Sequence, residues 1–264
     1  MGRESRGGCV LETIDQQLGE YFKALHMPHA RRAAGDILQS AKTQRWHPVE
    51  VIKAVLECEV EGRRELGIAR RLKTLGVPGV KTLETFAAAL STIPTPTLDY
   101  LSTLEWVSNK ENLVIAGPSG TGKSHLIAGL ARKVIEEGGR AVWLTMDGVE
   151  DLVLAHQIDH TLEKRLTRLT KTDLIVIDDI GLLPVSEHGA QGLYRIVESC
   201  YEKVSIALST NVHPAKFDQL MPINIATATV DRLMHHAHVV QTQGDSIRMS
   251  QALAGQGVKN PLQQ

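Results

Sequence analysis

The chain has only three cysteines among its 264 residues, Cys9, Cys58 and Cys200, far apart and without C-x-x-C spacing. This scarcity excludes a disulfide framework and a cysteine-built zinc site, so the thiols read as reduced and incidental. Long apolar runs are also missing, and nothing approaches the roughly 20 residues that a membrane-spanning helix needs. Arg3, Glu4, Arg6, Glu12 and Asp15 interrupt the first 20 residues, which therefore lack the apolar centre of a secretory signal. The expectation is a soluble, cytoplasmic protein with no membrane partner. Internal repeats and low-complexity tracts are absent too. What is present, 42% hydrophobic residues, can bury a substantial core, and the length suits one domain near full size plus a smaller one.

An excess of charge of one sign is lacking overall, with 29 Lys and Arg against 30 Asp and Glu for a net charge of −1. The average hides an uneven chain. Between Tyr21 and Lys81 twelve basic residues face six acidic ones, a local charge of +6, and three arginine pairs recur there: Arg31-Arg32, Arg63-Arg64 and Arg70-Arg71. Concentrated positive charge of this kind is the footprint of a phosphate-backbone binder, with a solvated helix face as the bland alternative. Arg63, Arg64, Arg70 and Arg71 are the candidate DNA contacts. Backbone-driven contact predicts weak sequence preference and strong salt dependence.

Residues 1–90 read as a small basic helical domain, with breaks near Met27-Pro28, His47-Pro48 and Gly76-Val77-Pro78-Gly79. Residues 91–111 read as a linker, because the alternating Thr and Pro around Pro94 and Pro96 disfavour a helix. From residue 112 to 250 short β-branched runs alternate with helical stretches: Leu113–Ala116, Ala141–Thr145, Leu174–Asp178, Ser205–Ser209 and Val239–Thr242. Alternation of this kind predicts an α/β fold, a parallel sheet covered on both faces by helices. Residues 251–264 form a tail.

The chemistry concentrates in that second region. Gly117-Pro118-Ser119-Gly120-Thr121-Gly122-Lys123-Ser124 follows an apolar strand and opens a helix whose first turn includes His125. A glycine-rich turn at a helix N-terminus lets backbone N–H groups surround phosphates, so the run is a complete phosphate-binding loop for a nucleoside triphosphate. Lys123 is expected to reach the β- and γ-phosphates of ATP and Ser124 to hold Mg²⁺. The strand Leu174–Ile177 then delivers Asp178 to its carboxyl end, as a second Mg²⁺ ligand, with Asp179 placed to polarise the attacking water. Asp179 could instead cap a following helix. Asn211 follows the next strand, where its amide can reach the γ-phosphate or the water; a turn-forming Asn is the alternative. Arg232 ends a helical stretch and suits a phosphoryl group bound by a neighbouring subunit, with a local pair to Asp231 as the alternative. Arg248 is a weaker candidate for the same phosphates. His235, His236 and His238 offer no carboxylate or cysteine at ligand spacing, so a metal reading is set aside.

In this order the loop G-P-S-G-T-G-K-S-H-L, the strand L-I-V-I-D-D-I-G-L-L-P, the S-T-N triplet and the D-R-L-M-H-H-A-H run resemble the IstB-like ATP-binding proteins. These are transposase helpers related to the DnaC helicase loaders within the AAA+ class. Upstream, Glu57–Arg64 and Lys81–Phe86 are similar to that family's E-x-E-x-R-R and K-T-L-E-x-F segments. The resemblance implies an ATPase of AAA+ fold behind a helical N-terminal domain, with a minimal or absent C-terminal lid. It further implies an ATP- and Mg²⁺-dependent protein that multimerises on double-stranded DNA. Its homo-oligomer would be bridged by ATP and would assist a cognate transposase in target-site selection. Catalysis would fall to Lys123, Asp178, Asp179, Asn211 and a neighbour's Arg232. Where many AAA+ proteins carry Glu, this chain has the shorter Asp179, which implies slower turnover. A helicase loader, a small-molecule kinase and an ATP-binding scaffold are the competing readings.

Overall fold

The computed structural model describes residues 16–249, apart from 78–80, 87, 89–90, 160, 182–183, 245 and 248. It divides into two compact units, Met1–Arg70 and Arg71–Gln264. Arg248 lies outside the described residues.

Within the first unit, α1 (Gln16–Ala24), α2 (Pro28–Gln44) and the start of α3 (Pro48–Leu75) end at the proline and glycine breaks expected from the sequence. Phe22, Ala30 and Ala34 form a small core, with Leu18, Met27 and Val55 packed on it. The N-cap residue of α2, Met27, has no side chain that can accept from the helix. Glu59 of α3 supplies the acceptor instead: one carboxylate oxygen takes the His29 N–H at 2.8 Å and the Ala30 N–H at 3.0 Å, the other the Arg63 Nε at 2.7 Å. Burial works against the Glu59 charge, but those N–H groups and Arg63 outweigh it and hold the carboxyl below its ordinary range. One turn on, a Cβ at Gly62 would come within 2.1 Å of His29 Nδ1, so only glycine lets the two helices approach this closely. The E-x-E-x-R-R segment is thus a helix-packing device.

The second unit is built on five parallel strands in the order β2-β3-β4-β1-β5. These are β1 (Asn112–Ala116), β2 (Ala141–Thr145), β3 (Leu174–Ile180), β4 (Ser205–Thr210) and β5 (Ala237–Gln241). β1, most of β3 and all of β4 are buried, as continuous apolar runs in a covered parallel sheet require. The connecting helices are α6 (Lys123–Glu136), α7 (Met146–Asp159), α8 (Leu162–Leu169), α9 (Glu187–Cys200) and α10 (Ile223–Met234). β4 inserts between β1 and β3, which separates the two strands that carry the phosphate loop and the paired aspartates.

Two expectations about domain limits need correction. The division falls at Arg70, not near residue 90. Residues 91–111 are not an extended linker: α4 (Thr95–Thr103) and α5 (Glu105–Ser108) occupy most of them and bury Leu98, Leu101, Leu104, Trp106 and Val107. Pro94 and Pro96 sit at the N-cap and in the first turn of α4, where the N–H that proline lacks has no intrahelical partner to lose.

Candidate nucleotide-binding site

The loop between β1 and α6 is shaped by its glycines. Gly120 and Gly122 have φ of 87° and 92°, the left-handed region that a side chain resists, and a Cβ at Gly117 would lie 2.3 Å from the Thr242 carbonyl oxygen. Thr121 ties the loop to the segment after β5, its hydroxyl 2.7 Å from the Thr242 hydroxyl. Gly122 is the N-cap of α6 and offers no side chain there, so the first-turn N–H groups of Lys123 and Ser124 make up an anion-receptive helix end, while the His125 N–H donates to Gly122 O at 3.0 Å.

Lys123 is buried, and its ammonium donates to Gly117 O at 2.8 Å, Pro118 O at 2.7 Å and Asn211 Oδ1 at 2.8 Å. Asn211 in turn donates through Nδ2 to Asp179 Oδ1 at 3.3 Å. One amide therefore spans the lysine of the loop and the second aspartate of β3. Arg232 does not join this cluster within the protomer. Nor does the His125 ring, which meets Thr82 O and Thr85 Oγ1 at 3.1 Å each.

The pair Asp178-Asp179 is a β-bulge rather than a strand end. Ile177 pairs with Leu208 and Ile180 with Thr210, so two residues of β3 oppose Ser209 alone. Asp179 adopts φ 67°, which turns its side chain out of the sheet, and it lies well before α9, whose N-cap is Ser186; the capping alternative fails. Ser209, fully buried, holds the bulge: its hydroxyl accepts the Asp179 N–H at 2.8 Å and donates to Asp178 Oδ1. Sequence reasoning missed Ser209, since serine at the end of an apolar strand carries no pattern of its own. It also missed the turn at residues 82–86. There Phe86 would lie 3.1 Å from a Cβ on Gly122, and the Leu83 backbone would lie 2.9 Å from one on Gly129. A glycine in the interior of α6 was the available signal, because it marks a close approach.

Arg232 lies on the last turn of α10 against α9. Its Nη1 donates to Ala228 O at 3.2 Å, Nη2 is 3.7 Å from Glu198 Oε1, and Cζ is 5.3 Å from the centre of the Tyr194 ring. The candidate DNA contacts are already engaged. Arg63 binds Glu59 and His26 O, Arg64 pairs with Glu61 at 3.6 Å, Arg71 donates to Gly138 O and Gly139 O, and Arg70 has a partner as well. Exposed basic groups also gather in the first unit around a hollow of about 780 Å³ lined by Lys23, His26, Arg31 and Arg32 beside Glu20, with Arg32 itself donating to Pro28 O at 3.2 Å.

Folding brings Glu202 to the histidines, where spacing along the chain shows no carboxylate. Glu202 Oε1 lies 4.0 Å from both His235 Nδ1 and His236 Nε2, all three exposed. Ligands round a tetrahedral zinc sit about 3.3 Å apart. His235 Nδ1 is already 2.8 Å from the Tyr201 hydroxyl, so the group is a solvated hydrogen-bonding cluster. His238 turns away to Glu111 at 2.6 Å. Burial pushes the Cys200 thiol up to about 11, which leaves it protonated and inert at neutral pH. Among the described residues no helix is long and apolar enough to cross a membrane.

The chain is 30% identical over 237 residues to an insertion sequence IS21 ATP-binding protein of Pseudomonas aeruginosa, covering 89% of each. It is 28% identical over 239 residues to its insertion sequence IS5376 counterpart of Geobacillus stearothermophilus, covering 89% of this chain and 95% of that one. Among solved structures it resembles the replication initiator DnaA bound to AMPPCP and single-stranded DNA. There the TM-score is 0.51 and the identity 22%, over 69% of this chain and 57% of that one, a likeness of fold. The fold is therefore that of an AAA+ phosphate-loop ATPase. The family model for IstB-like ATP binding proteins matches residues 20–254, and the chain belongs to that family.

Proposed function

We propose that this protein hydrolyses ATP with Mg²⁺, multimerises on double-stranded DNA through ATP-bridged interfaces, and assists a cognate transposase in choosing its target site. The observation that carries the reading is Asn211, whose amide touches both the Lys123 ammonium and the Asp179 carboxylate. Such a link lets the phosphate-binding lysine and the carboxylate that orients water act as one unit. The names of these two relatives, both from insertion sequences, support the transposition setting.

Each residue then has a task. The loop N–H groups and Lys123 bind and orient the phosphates. The Ser124 hydroxyl and the half-buried Asp178 carboxylate in the bulge of β3 are hard oxygen donors that fit Mg²⁺. When bound there, the ion neutralises charge on the phosphates. Asp179, turned outward by the bulge, orients the attacking water and takes its proton. Arg232 of an adjacent copy contributes its guanidinium to the transferring phosphoryl group. DNA contact falls to the basic first unit, with Lys23, Arg31 and Arg32 exposed for it. Arg64 and Arg70 are secondary contacts, and Arg63 and Arg71 serve mainly in packing.

The test is ATP hydrolysis by the full chain with and without duplex DNA, for wild type, Lys123→Ala and Arg232→Ala, with assembly size followed by light scattering in the same samples. DNA and ATP together should drive assembly and raise turnover, and both variants should abolish turnover while Arg232→Ala still binds ATP. A monomer indifferent to DNA overturns the reading. A helicase loader would share the ATPase core, and stimulation of a replicative helicase in place of a transposase would favour it.

A further inference from the structure

We propose that Tyr194 and Glu198 are positioning residues that hold Arg232 in the orientation a neighbouring subunit's phosphate requires. The inference rests on the intersubunit reading of Arg232. Tyr194 and Glu198 stand four residues apart on α9, so they share one face of that helix, the face that meets the end of α10. The Tyr194 ring lies beneath the guanidinium, with Cζ 5.3 Å from its centre. Its hydroxyl donates to Glu198 Oε1 at 3.0 Å, and the same oxygen is 3.7 Å from Arg232 Nη2. The Ala228 carbonyl takes Nη1 from the remaining side.

Arg232 is therefore restrained from three directions: by an aromatic face, a carboxylate edge and its own helix. The value of this arrangement is not stability. Arg232 is 31% exposed and Glu198 50% exposed, and an ion pair of that exposure at 3.7 Å contributes little to folding. Orientation is what the three restraints supply. A guanidinium that acts on a phosphate across an interface is most effective when its rotamer is chosen before the partner arrives, because ordering a long side chain during the reaction costs rate. Tyr194 gives the guanidinium an aromatic face to rest over. Glu198 fixes its rotation over that face, and the Tyr194 hydroxyl fixes Glu198. The carboxylate is shared and half-solvated, so the phosphate, with its greater negative charge, can take over Nη2 while the stacking persists.

The experiment uses full-length Arg232→Ala, Tyr194→Ala, Tyr194→Phe, Glu198→Gln and Lys123→Ala, each alone and in equimolar mixture with Lys123→Ala, with ATP turnover and ATP affinity measured on DNA. Lys123→Ala has a disabled loop but an intact arginine, so in mixed assemblies it can serve the intact loop of a neighbour. Alone, Tyr194→Ala should turn over about two- to tenfold more slowly at unchanged ATP affinity, within the range of a cation–π contact, and Glu198→Gln about two- to fivefold more slowly, within the range of an exposed ion pair. Mixing with Lys123→Ala should raise turnover per intact loop for both variants, as it does for Arg232→Ala. Tyr194→Phe keeps the stacking ring and should lose less than Tyr194→Ala; it carries the test with Glu198→Gln if Tyr194→Ala does not fold. Rescue of Arg232→Ala together with wild-type turnover in Tyr194→Ala and Glu198→Gln overturns this inference and leaves the intersubunit reading standing. So does a slow variant that mixing fails to rescue, since a general folding defect stays within its own protomer. No rescue of Arg232→Ala itself overturns the intersubunit reading, and this inference with it.

Discussion

Replacing Ser209 by alanine removes one oxygen and no more, yet the bulge at Asp178-Asp179 hangs on that oxygen. Ser209 is fully buried, so no water can take the place of its hydroxyl without rearrangement. The Asp179 N–H then loses its acceptor, at a cost of about 1–3 kcal/mol for an orphaned donor. Asp178 also loses a donor, but its half-exposed carboxylate can recover part of that from solvent. A total near 2 kcal/mol follows, comparable with the roughly 1–3 kcal/mol that a non-glycine residue costs in the left-handed region. In the wild type the hydrogen bonds offset that strain; without them the strain is uncompensated, and the bulge loses its preference for the conformation that turns Asp179 outward. If the whole 2 kcal/mol is lost from the transition state, turnover falls about thirtyfold, at 1.36 kcal/mol per factor of ten. ATP affinity should hardly move, because Ser209 touches neither the loop nor Lys123. Steady-state hydrolysis, nucleotide binding by fluorescence and urea unfolding of Ser209→Ala measure the three quantities separately. Turnover within about threefold of wild type would refute the reasoning, since that leaves little over 0.6 kcal/mol for the hydrogen-bonded bulge. A parallel fall in affinity and turnover would refute it differently, by showing that Ser209 supports the fold of the whole site.

Asp179→Asn keeps a residue tolerant of positive φ and the oxygen that Asn211 binds, so stability should stay within about 0.5 kcal/mol while turnover falls a hundredfold or more. Calorimetry beside hydrolysis checks that split. Arg31→Ala with Arg32→Ala should weaken DNA binding and flatten the slope of log K against log salt by about 1.8, or 0.9 for each phosphate that is no longer neutralised. Anisotropy titrations across salt concentrations read that slope. Glu59, whose folded carboxyl sits below its ordinary 4.5, contributes stability that is present above that value and lost as pH falls through the lower folded one. Acid should therefore loosen the first unit in wild type, and Glu59→Gln should unfold at lower temperature at neutral pH with less further loss in acid, as circular dichroism will register.

Much of the second unit was legible because a covered parallel sheet writes itself as apolar runs. All five strands stand where the β-branched runs place them, within two residues at their ends. The phosphate loop was legible for a different reason: its function demands glycine at fixed spacing, and φ values of 87° and 92° at Gly120 and Gly122 explain why. The failures have causes of their own. Pro94-Thr95-Pro96-Thr97 reads as extended chain, yet proline in the first turn costs a helix nothing, and only the buried Leu98, Leu101 and Trp106 reveal that α4 and α5 pack. Glu57–Arg64 reads as charge available for DNA, whereas Glu59 and Arg63 are committed to the start of α2, a use that depends on tertiary structure absent from any local pattern.

The bulge joins these two kinds of information. Two aspartates after an apolar run state that carboxylates are delivered to the end of β3, but not that β3 continues to Ile180 with an extra residue in its register. That extra residue has a chemical consequence. Asp178 stays in the sheet beside Ser209, while Asp179 leaves it and meets Asn211, so adjacent and identical residues take up different environments. Glutamate could reach Asn211 from a flat strand; aspartate is shorter by one methylene. The outward turn of the bulge brings the shorter carboxylate to the amide at 3.3 Å. Flattening the bulge should therefore harm this protein more than it would a relative with glutamate at this position. Asp179→Glu in the Ser209→Ala background should recover part of the lost turnover, whereas in the wild-type background it should recover nothing.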